Sequence, residues 1–196
     1  MDDCVLTDDV VWLSRPIASD IAAIVECCRQ PSIVRWTVVP QEYDRGDAEG
    51  FLRTVVTPGW AARSPTWGVR TSPDGPIVGM IGLAADTQPG AAEIGFWLGT
   101  QARGRGLMTA AVRLACDFGF APDGLALTRI EWRAYAGNRA SAAVARRAGF
   151  HYEGLLRRAG PQRGVRHDCW IAGRLASDPA TPTTGWPAST GAPVPQ

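Results

Sequence analysis

The distribution of apolar positions divides the chain into short strand-like runs and longer helix-like segments. Strand-length apolar runs end at turn residues such as Pro, Gly and Asp, and between them apolar residues recur three or four apart, as at Leu107, Ala111 and Leu114. The predicted strands are 10–13, 66–71, 77–85, 92–98, 127–135, 150–158 and 168–175, and the predicted helices are 17–28, 46–56, 104–120 and 138–148. This order indicates an α/β (α+β) fold whose mixed sheet is antiparallel early in the chain and crosses over through the two later helices.

The predicted helix ends rest on local capping and stop signals. Ser19 or Asp20 is expected to cap the first helix, because short polar side chains satisfy the free N–H groups there. The second helix is expected to end before Pro58, since the residue that precedes a proline disfavours the helical conformation. Gly149 is expected to close the last helix.

The C-terminal part of the chain differs in composition from the rest. Beyond Ala176 the sequence is rich in Pro, Thr, Ser and Gly, a composition that rarely supports a packed core. We therefore expect residues 1–176 to form a single domain and residues 177–196 to form a disordered tail.

The segment 92–109 joins a predicted strand, a turn rich in Gly and Arg, and the start of a helix. A helix N-terminus presents unpaired N–H groups and the positive end of the helix dipole, and together these bind anions, most often phosphate. Gly104 and Gly106 let the backbone approach a phosphate closely, and Arg103 and Arg105 add positive charge. A Gly-rich helix cap with two solvated arginines is the alternative, and the local sequence leaves both open.

The composition excludes several kinds of catalysis. All 20 basic residues are arginine, so the chain has no lysine for a Walker A motif, a pyridoxal Schiff base or a lysine nucleophile. Its two histidines, His151 and His167, form no H-x-x-x-H pattern. A zinc hydrolase is therefore not expected, and no metal site is predicted.

The cysteines and the N-terminus bear on localisation. The five cysteines form no C-x-x-C pair and are expected to be thiols in a reducing compartment. The N-terminus is acidic and leads into no apolar signal region, and no run reaches the length of a membrane span. We expect a cytoplasmic protein without a membrane partner.

Charge is distributed unevenly along the chain, although the formal net charge is only +1. Residues 1–60 carry five Arg and ten acidic residues, for a net charge of −5, whereas residues 129–166 carry nine Arg and two acidic residues, for a net charge of +7. An enzyme that joins an anionic cofactor to a cationic substrate would use both regions. A nucleic-acid partner is not expected, because such binders rarely combine a basic region with an acidic one.

Three motifs in sequence order resemble the GNAT acyltransferases, and within them the RimJ/RimL-type N-acetyltransferases. Residues 103–108, RGRGLM, are similar to the acyl-CoA signature R-x-x-G-x-G/A, with Met108 where Gly or Ala is usual. Residues 93–99, EIGFWLG, resemble the strand that precedes this signature. Residues 138–154 are similar to the segment N-x-x-S followed by G-F-x-x-E-G. The resemblance covers residues 10–176.

The resemblance implies a GNAT-like, mostly antiparallel sheet of about six to seven strands flanked by about four helices. It implies transfer of an acyl group from acyl-CoA, with acetyl-CoA as the co-substrate and no metal, to an amine in a ternary complex. It is also compatible with a homodimer. The residues expected to bind the co-substrate are Trp97, Leu98, Arg103, Gly104, Arg105, Gly106, Leu107, Met108, Thr109 and Asn138. The Met108 side chain would either crowd the pyrophosphate or point into the core.

The resemblance also suggests catalytic residues. Ser141 lies one helical turn after Asn138 and is expected to protonate the departing thiolate, or else to be a small residue for helix packing. Glu93 is the first candidate for the base that deprotonates the amine, with Asp168 and Glu153 as alternatives. An α-amino group loses its proton more easily than a lysine amine and would need only a mild base.

Acceptor recognition is the least defined part of the sequence. Trp36 and Asp168 are the candidate substrate residues, with a core position as the alternative for Trp36. The acidic first third of the chain favours a cationic acceptor, either the α-amine of a protein N-terminus or a small-molecule amine. A catalytically inactive acyl-CoA-binding module and an Arg-rich nucleic-acid binder are the rival functions.

Overall fold

A sheet of eight strands forms the centre of the computed structural model, which describes residues 3–87 and 89–191. The strands are β1 (Leu6–Thr7), β2 (Trp12–Ser14), β3 (Thr66–Arg70), β4 (Gly79–Ala85), β5 (Ala91–Leu98), β6 (Arg129–Tyr135), β7 (His151–Gln162) and β8 (Val165–Leu175). Their spatial order is β1-β2-β3-β4-β5-β6-β8-β7. Only β5 and β6 are parallel neighbours. The predicted mixed, mostly antiparallel sheet is confirmed, with eight strands where six to seven were expected.

Six α-helical segments flank the sheet within the described residues. They are α1 (Ile21–Cys28), α2 (Pro31–Trp36), α3 (Arg45–Phe51), α4 (Thr57–Ala61), α5 (Leu107–Phe120) and α6 (Arg139–Arg147). The longest, α5, is the crossover between the parallel strands β5 and β6, as a parallel connection requires. In the two described ranges, no helix combines the length and the apolar character needed to cross a membrane.

Strand β5 separates two hydrophobic cores. Ala92 and Ile94 are almost fully buried in the larger core, which includes the apolar face of α5. Trp97 points the other way and packs with Ile77 and Met80 in a smaller core that includes residues of α1 and α3. Successive strand residues face opposite sides of the sheet, so the two faces of β5 pack against different helices: α5 on one side, α1 and α3 on the other.

The second predicted helix continues through Pro58, contrary to the sequence prediction. A π-helical stretch, Leu52–Val56, joins α3 to α4, and the Thr57 N–H donates to the Leu52 carbonyl. Pro58 then lies in the first turn of α4. The π-helical stretch changes the hydrogen-bond spacing of the preceding turn from i−4 to i−5, and this local adjustment accommodates the proline without ending the helix.

The last two strands form a longer hairpin than predicted. The segment expected to be a loop between 158 and 168 is mostly paired, and the turn lies at Arg163 and Gly164, both with positive φ. Irregular register near Arg158, which has φ of +49°, breaks the alternation that would reveal the strand in the sequence. The two-residue strand β1 is too short to leave a pattern.

Asp20 stands at the predicted start of α1 but its carboxylate serves another purpose. It makes no capping hydrogen bond to α1. Its oxygens instead accept from Arg70 at 2.9 and 2.7 Å, and one also accepts from the Ile17 N–H at 2.9 Å. Both members of the pair are buried, so Asp20 ties the entry of α1 to β3.

The segment beyond Ala176 packs on the domain over its described part, residues 177–191. Trp186 is only 6% exposed, and its indole N–H donates to the Phe150 carbonyl at 3.2 Å. The Thr183 N–H donates to the Arg146 carbonyl at the end of α6. These contacts differ from the expected disordered tail, because the tail carries a large aromatic side chain that finds a site in the core. Residues 192–196 of the predicted tail lie outside the described residues.

Candidate active site

Strands β5 and β6 separate partway along their length and open a cleft. They pair from Ala91–Ile94 to Arg129–Trp132, after which β5 continues to Leu98 and β6 to Tyr135. The cleft has a volume of about 880 Å³. It is lined by residues of α2, the end of β5, the N-terminal part of α5 and the loop before it, and α6.

Strand β5 contributes three lining residues to this cleft, Phe96, Trp97 and Leu98. The Gly99 N–H donates to the carbonyl just before β4 at 2.8 Å. The N–H and C=O groups of successive strand residues point to opposite neighbouring strands. Those of Trp97 therefore also point toward β4, whereas those of Phe96 and Leu98 point toward β6. The Leu98 carbonyl accepts from Arg103 Nε at 2.9 Å. The cleft wall therefore presents backbone donors and acceptors at strand spacing.

The loop before α5 has the geometry predicted for an anion site. Gly104 and Gly106 have φ of +76° and +79°, the left-handed region that favours glycine. Within α5 the Ala110 N–H donates to the Gly106 carbonyl at 3.1 Å. The N–H groups of residues 107–109 precede this bond and have no acceptor of their own in the helix. Gly106 offers no side chain to cap them, so these groups are available to a ligand.

The arginines and the methionine of this loop have different positions. Arg103 lines the cleft, held by its bond to the Leu98 carbonyl. Arg105 is exposed and is not among the cleft-lining residues. The Met108 side chain is 4% exposed and belongs to the hydrophobic core. Of the two positions predicted for that side chain, the core position is the one observed.

Helix α6 brings Asn138 and Ser141 to the cleft wall. Asn138 Oδ1 accepts from the Ser141 N–H at 3.2 Å and so caps the helix. Ser141 Oγ accepts from the indole N–H of Trp132 at 3.0 Å. An indole nitrogen can only donate, so the Ser141 hydroxyl keeps its own proton for another acceptor.

Trp36 lies at the C-terminal end of α2 and lines the cleft. A Cβ placed on Gly137 would lie 3.4 Å from Trp36 Cη2, so the indole is close to the loop before α6. From the β7–β8 hairpin, Gln162 Nε2 donates to the carbonyls of Arg35 and Thr37 at 3.0 and 2.7 Å. The indole is thus bracketed by α2, the hairpin and the loop before α6.

Glu93 lies on β5 one residue before the pairing with β6 ends, and it is not among the residues that line the cleft. It shares the face of β5 that carries Trp97, and its carboxylate is about half exposed. Burial raises its pKa, the neighbouring Arg133 lowers it, and Glu131 raises it further. A carboxylate with a raised pKa is a better proton acceptor than an ordinary one.

The two alternative bases already have hydrogen-bond partners in the structure, and neither lines the cleft. Asp168 Oδ1 accepts from the Arg158 N–H at 2.7 Å and holds the irregular part of β7. Glu153 receives two hydrogen bonds from Arg129, at 2.7 and 2.6 Å. Those bonds lower the pKa of Glu153. Both carboxylates therefore have structural partners.

Several cleft residues were not among the predicted site residues. Phe96 follows from the alternation that places Leu98 at the cleft. Arg113 and Arg147 also line the cleft, and the Arg113 guanidinium donates to the Arg147 carbonyl at 2.9 Å. Pro182, from the segment expected to be a tail, lines it as well. These three come from distant parts of the sequence, and only the fold brings them together.

The described residues offer neither a metal cluster nor an activated thiol at this site. In residues 3–87 and 89–191 there is no group of three or more His, Cys, Asp or Glu side chains that could hold a metal ion. Burial raises the pKa of Cys27 to about 11 and that of Cys28 and Cys116 to about 12. Thiols with such pKa values are almost entirely protonated near neutral pH and are poor nucleophiles.

The fold and the cleft define a class of α/β protein in which the sheet opens beside a helix N-terminus that can bind an anion. Such a cleft can hold a co-substrate that carries both phosphate and amide groups. The family model described as "Acetyltransferase (GNAT) domain" matches residues 11–151. The chain belongs to the GNAT acetyltransferase family.

Similar proteins agree with this assignment. The chain is 38% identical over 96 residues to "Putative ribosomal N-acetyltransferase YdaF" of Bacillus subtilis, a match that covers 48% of this chain and 51% of that protein. It thus spans about half the length of this relative. Its fold is similar to that of the microcin C7 self-immunity acetyltransferase MccE, whose crystal structure is in complex with acetyl-CoA and AMP (TM-score 0.77, 21% identity, 86% of this chain and 93% of that one). It is also similar to that of Mycobacterium smegmatis RimJ in complex with CoA-disulfide (TM-score 0.76, 23% identity, 89% of this chain and 87% of that one).

Proposed function

We propose that this chain is an N-acetyltransferase of the RimJ/RimL type, which transfers the acetyl group of acetyl-CoA to a primary amine. One observation carries the proposal: a single cleft joins the loop of Gly104 and Gly106 before α5, the end of β5 beyond its pairing with β6, and the Ser141 hydroxyl. These are the groups that a phosphate-bearing thioester needs along its length.

In this proposal the cleft residues would contact acetyl-CoA in order along its length. The N–H groups of Leu107, Met108 and Thr109 would hold the pyrophosphate, with Arg103 beside them. The backbone of Phe96 and Leu98 would bond the amides of the pantetheine arm, and the Asn138 side-chain amide retains its N–H donors for the same arm.

Ser141 would act on the leaving group. The amine nitrogen attacks the thioester carbonyl, a C–N bond forms and the C–S bond breaks. The departing sulfur takes the hydroxyl proton of Ser141, and the serine regains a proton from solvent, to which the base releases the proton taken from the amine. A backbone N–H at the end of β5 stabilises the charge that grows on the carbonyl oxygen.

Glu93 would remove the proton from the incoming amine, directly or through water. Its place on β5, near the point where the pairing with β6 ends, and its raised pKa support this role. Trp36 would contact the acceptor. Asp168 is the second proposed acceptor residue, acting through the hairpin that it helps to shape. The acceptor would be the α-amine of a protein N-terminus or a small-molecule amine.

The setting of the enzyme is also proposed. We place it in the cytoplasm, in agreement with five cysteines that are all free thiols. A homodimer stays a prediction, which sedimentation of the purified protein would test.

Calorimetric titration with acetyl-CoA, followed by thiol-release assays, tests the function. Free amino acids, peptides with free N-termini and aminoglycosides would be supplied as acceptors. We expect acetyl-CoA to bind and thiol to be released with one acceptor class, and Ser141→Ala to slow release while sparing acetyl-CoA affinity. Absence of binding would refute the proposal, and binding without release for any acceptor would favour a non-catalytic acyl-CoA-binding module.

A further inference from the structure

We infer that Trp132 and Trp186 are positioning residues for the Ser141 hydroxyl, and that the C-terminal segment therefore contributes to turnover. The inference rests on the proposed function, because it assigns a role to Ser141 in that reaction. The match to the family model ends at residue 151, so Trp186 lies outside the part of the chain that defines the family.

The first step is the bond between Trp132 and Ser141. Trp132 lies on β6, is 1% exposed, and donates its indole N–H to Ser141 Oγ at 3.0 Å. The bond fixes where the serine oxygen lies in the cleft. Donation to an oxygen also polarises its own O–H bond, which makes the hydroxyl a better proton donor.

Without that donor, the serine hydroxyl would have other choices. A serine side chain has three staggered rotamers about its Cα–Cβ bond, and each directs the hydroxyl differently. Occupying an oxygen lone pair from the side of Trp132 favours the rotamer that keeps the hydroxyl at the cleft. The N–H of Trp132 therefore acts on orientation, and it touches neither reactant.

The second step is the packing of Trp186 on Trp132. The two ring centroids are 5.7 Å apart, and Tyr152 packs on the Trp186 ring at 5.5 Å. Trp186 is itself fixed, because its N–H donates to the Phe150 carbonyl and, at 2.9 Å, to Thr183 Oγ1. The C-terminal segment thus positions the Trp132 indole by packing, and that indole positions the Ser141 hydroxyl by its hydrogen bond.

Steady-state kinetics of Trp132→Phe test the first step. This variant keeps an aromatic ring and removes the donor, and we expect kcat to fall about two- to tenfold, the effect of one lost hydrogen bond. The KM for acetyl-CoA should stay unchanged. In a Ser141→Ala background the same substitution should have no further effect on kcat, because the group being positioned is gone.

Trp67→Phe is the matched control. Trp67 is buried and donates its indole N–H to the Cys4 carbonyl, away from the cleft. It should lose similar stability with no change in kcat. For the second step, Trp186→Ala should reproduce the kcat loss of Trp132→Phe, and Trp186→Phe should restore most of it. Wild-type kcat in Trp132→Phe, or an equal fall with and without Ser141, would overturn the inference.

An NMR measurement keeps the inference testable if no acceptor supports turnover. The indole N–H resonance of Trp132, assigned by its loss in Trp132→Phe, should shift and exchange faster with solvent in Ser141→Ala and in Trp186→Ala. The Trp67 indole resonance should not move. A Trp132 resonance indifferent to both substitutions would overturn the positioning role, whereas failure of acetyl-CoA to bind would overturn only the proposed function.

Discussion

Arg133 Nε lies 3.9 Å from Glu93 Oε2 but only 2.6 Å from Glu131 Oε1. The guanidinium therefore neutralises Glu131 directly and reaches Glu93 at longer range. Glu93 is thus a carboxylate whose pKa is raised by burial and only partly lowered by its nearest cation.

This arrangement predicts the pH dependence of acetyl transfer. If Glu93 is the base, it acts when deprotonated, so kcat/KM should rise with pH through the Glu93 pKa. Arg133→Met removes the charge that lowers this pKa and should move the acid limb to higher pH. Glu131→Gln removes the charge that raises it and should move the limb to lower pH.

Glu93→Gln should abolish that limb and reduce kcat/KM on the order of 10²-fold at neutral pH, toward the lower end of general-base effects. Rates would be measured from about pH 5 to 9 with saturating acetyl-CoA. An acid limb that survives in Glu93→Gln would assign the base to another group or to water.

The glycine loop before α5 predicts a charge-dependent loss of acetyl-CoA affinity. Gly104 has φ of +76°, and no heavy atom lies within 4 Å of the point that a Cβ would occupy, so a side chain has room but must adopt a left-handed backbone. Gly104→Asp and Gly104→Asn share this strain and nearly the same shape, and Asn tolerates it well. Only Asp adds a negative charge beside the phosphates.

We expect Gly104→Asp to weaken acetyl-CoA binding at least about tenfold more than Gly104→Asn, with a difference that shrinks as salt is added. Calorimetry at low and high ionic strength measures both. Equal affinities for the two variants would mean that the loop does not hold the anionic part of the ligand.

The position of Trp36 in the cleft wall predicts that its substitution changes the KM for the acceptor and not the affinity for acetyl-CoA. Removing its indole in Trp36→Ala should raise the acceptor KM about tenfold, in line with the loss of a buried aromatic contact. The acetyl-CoA affinity should change little. Trp36→Phe should keep most of the contact and give an intermediate KM. An unchanged acceptor KM in Trp36→Ala would contradict a role in acceptor binding and would assign the side chain to packing between α2 and the hairpin.

The Arg70–Asp20 pair predicts a loss of stability without a catalytic effect. Both side chains are buried, and Asp20→Asn would leave an uncompensated charge on Arg70. We expect a cost of about 3–5 kcal/mol in the free energy of unfolding. The exposed Arg15–Asp3 pair is the control, since Asp3→Asn should cost less than about 1 kcal/mol. Urea titrations compare the two, and equal costs would contradict the argument.

Much of the sheet was predictable because its strands alternate clearly or are bounded by turns. The run 92–98 is the best case: its length, its flanking glycines and the helix signal after it predicted the central strand, the loop and α5 together. Hairpin β7–β8 was harder, because irregular register around Arg158 interrupts the alternation. The predicted helix end before Pro58 was wrong, because a π-helical stretch lets the helix continue through the proline.

The lining of the cleft was predictable where one chain segment supplies it. Residues 103–109 and the Asn138–Ser141 pair lie in local motifs, and all of them except Arg105 are in or next to the cleft wall. Arg113, Arg147 and Pro182 were out of reach, since nothing in the sequence brings helices and the C-terminal segment together. Trp186 was missed for the same reason: composition predicted a tail, whereas burial of one indole anchors it.

The short parallel pairing of β5 and β6 has a consequence for how the molecule unfolds. Within the described residues, strands β1–β5 and strands β6–β8 meet in the sheet only along Ala91–Ile94 and Arg129–Trp132. A ligand in the cleft would touch Leu98 on one side of this seam and Ser141 on the other, and so would bridge the two halves. We expect acetyl-CoA to make unfolding more cooperative and to slow amide exchange on both sides of the seam. The ligand would then stabilise the contact between the two halves in addition to its role in the reaction.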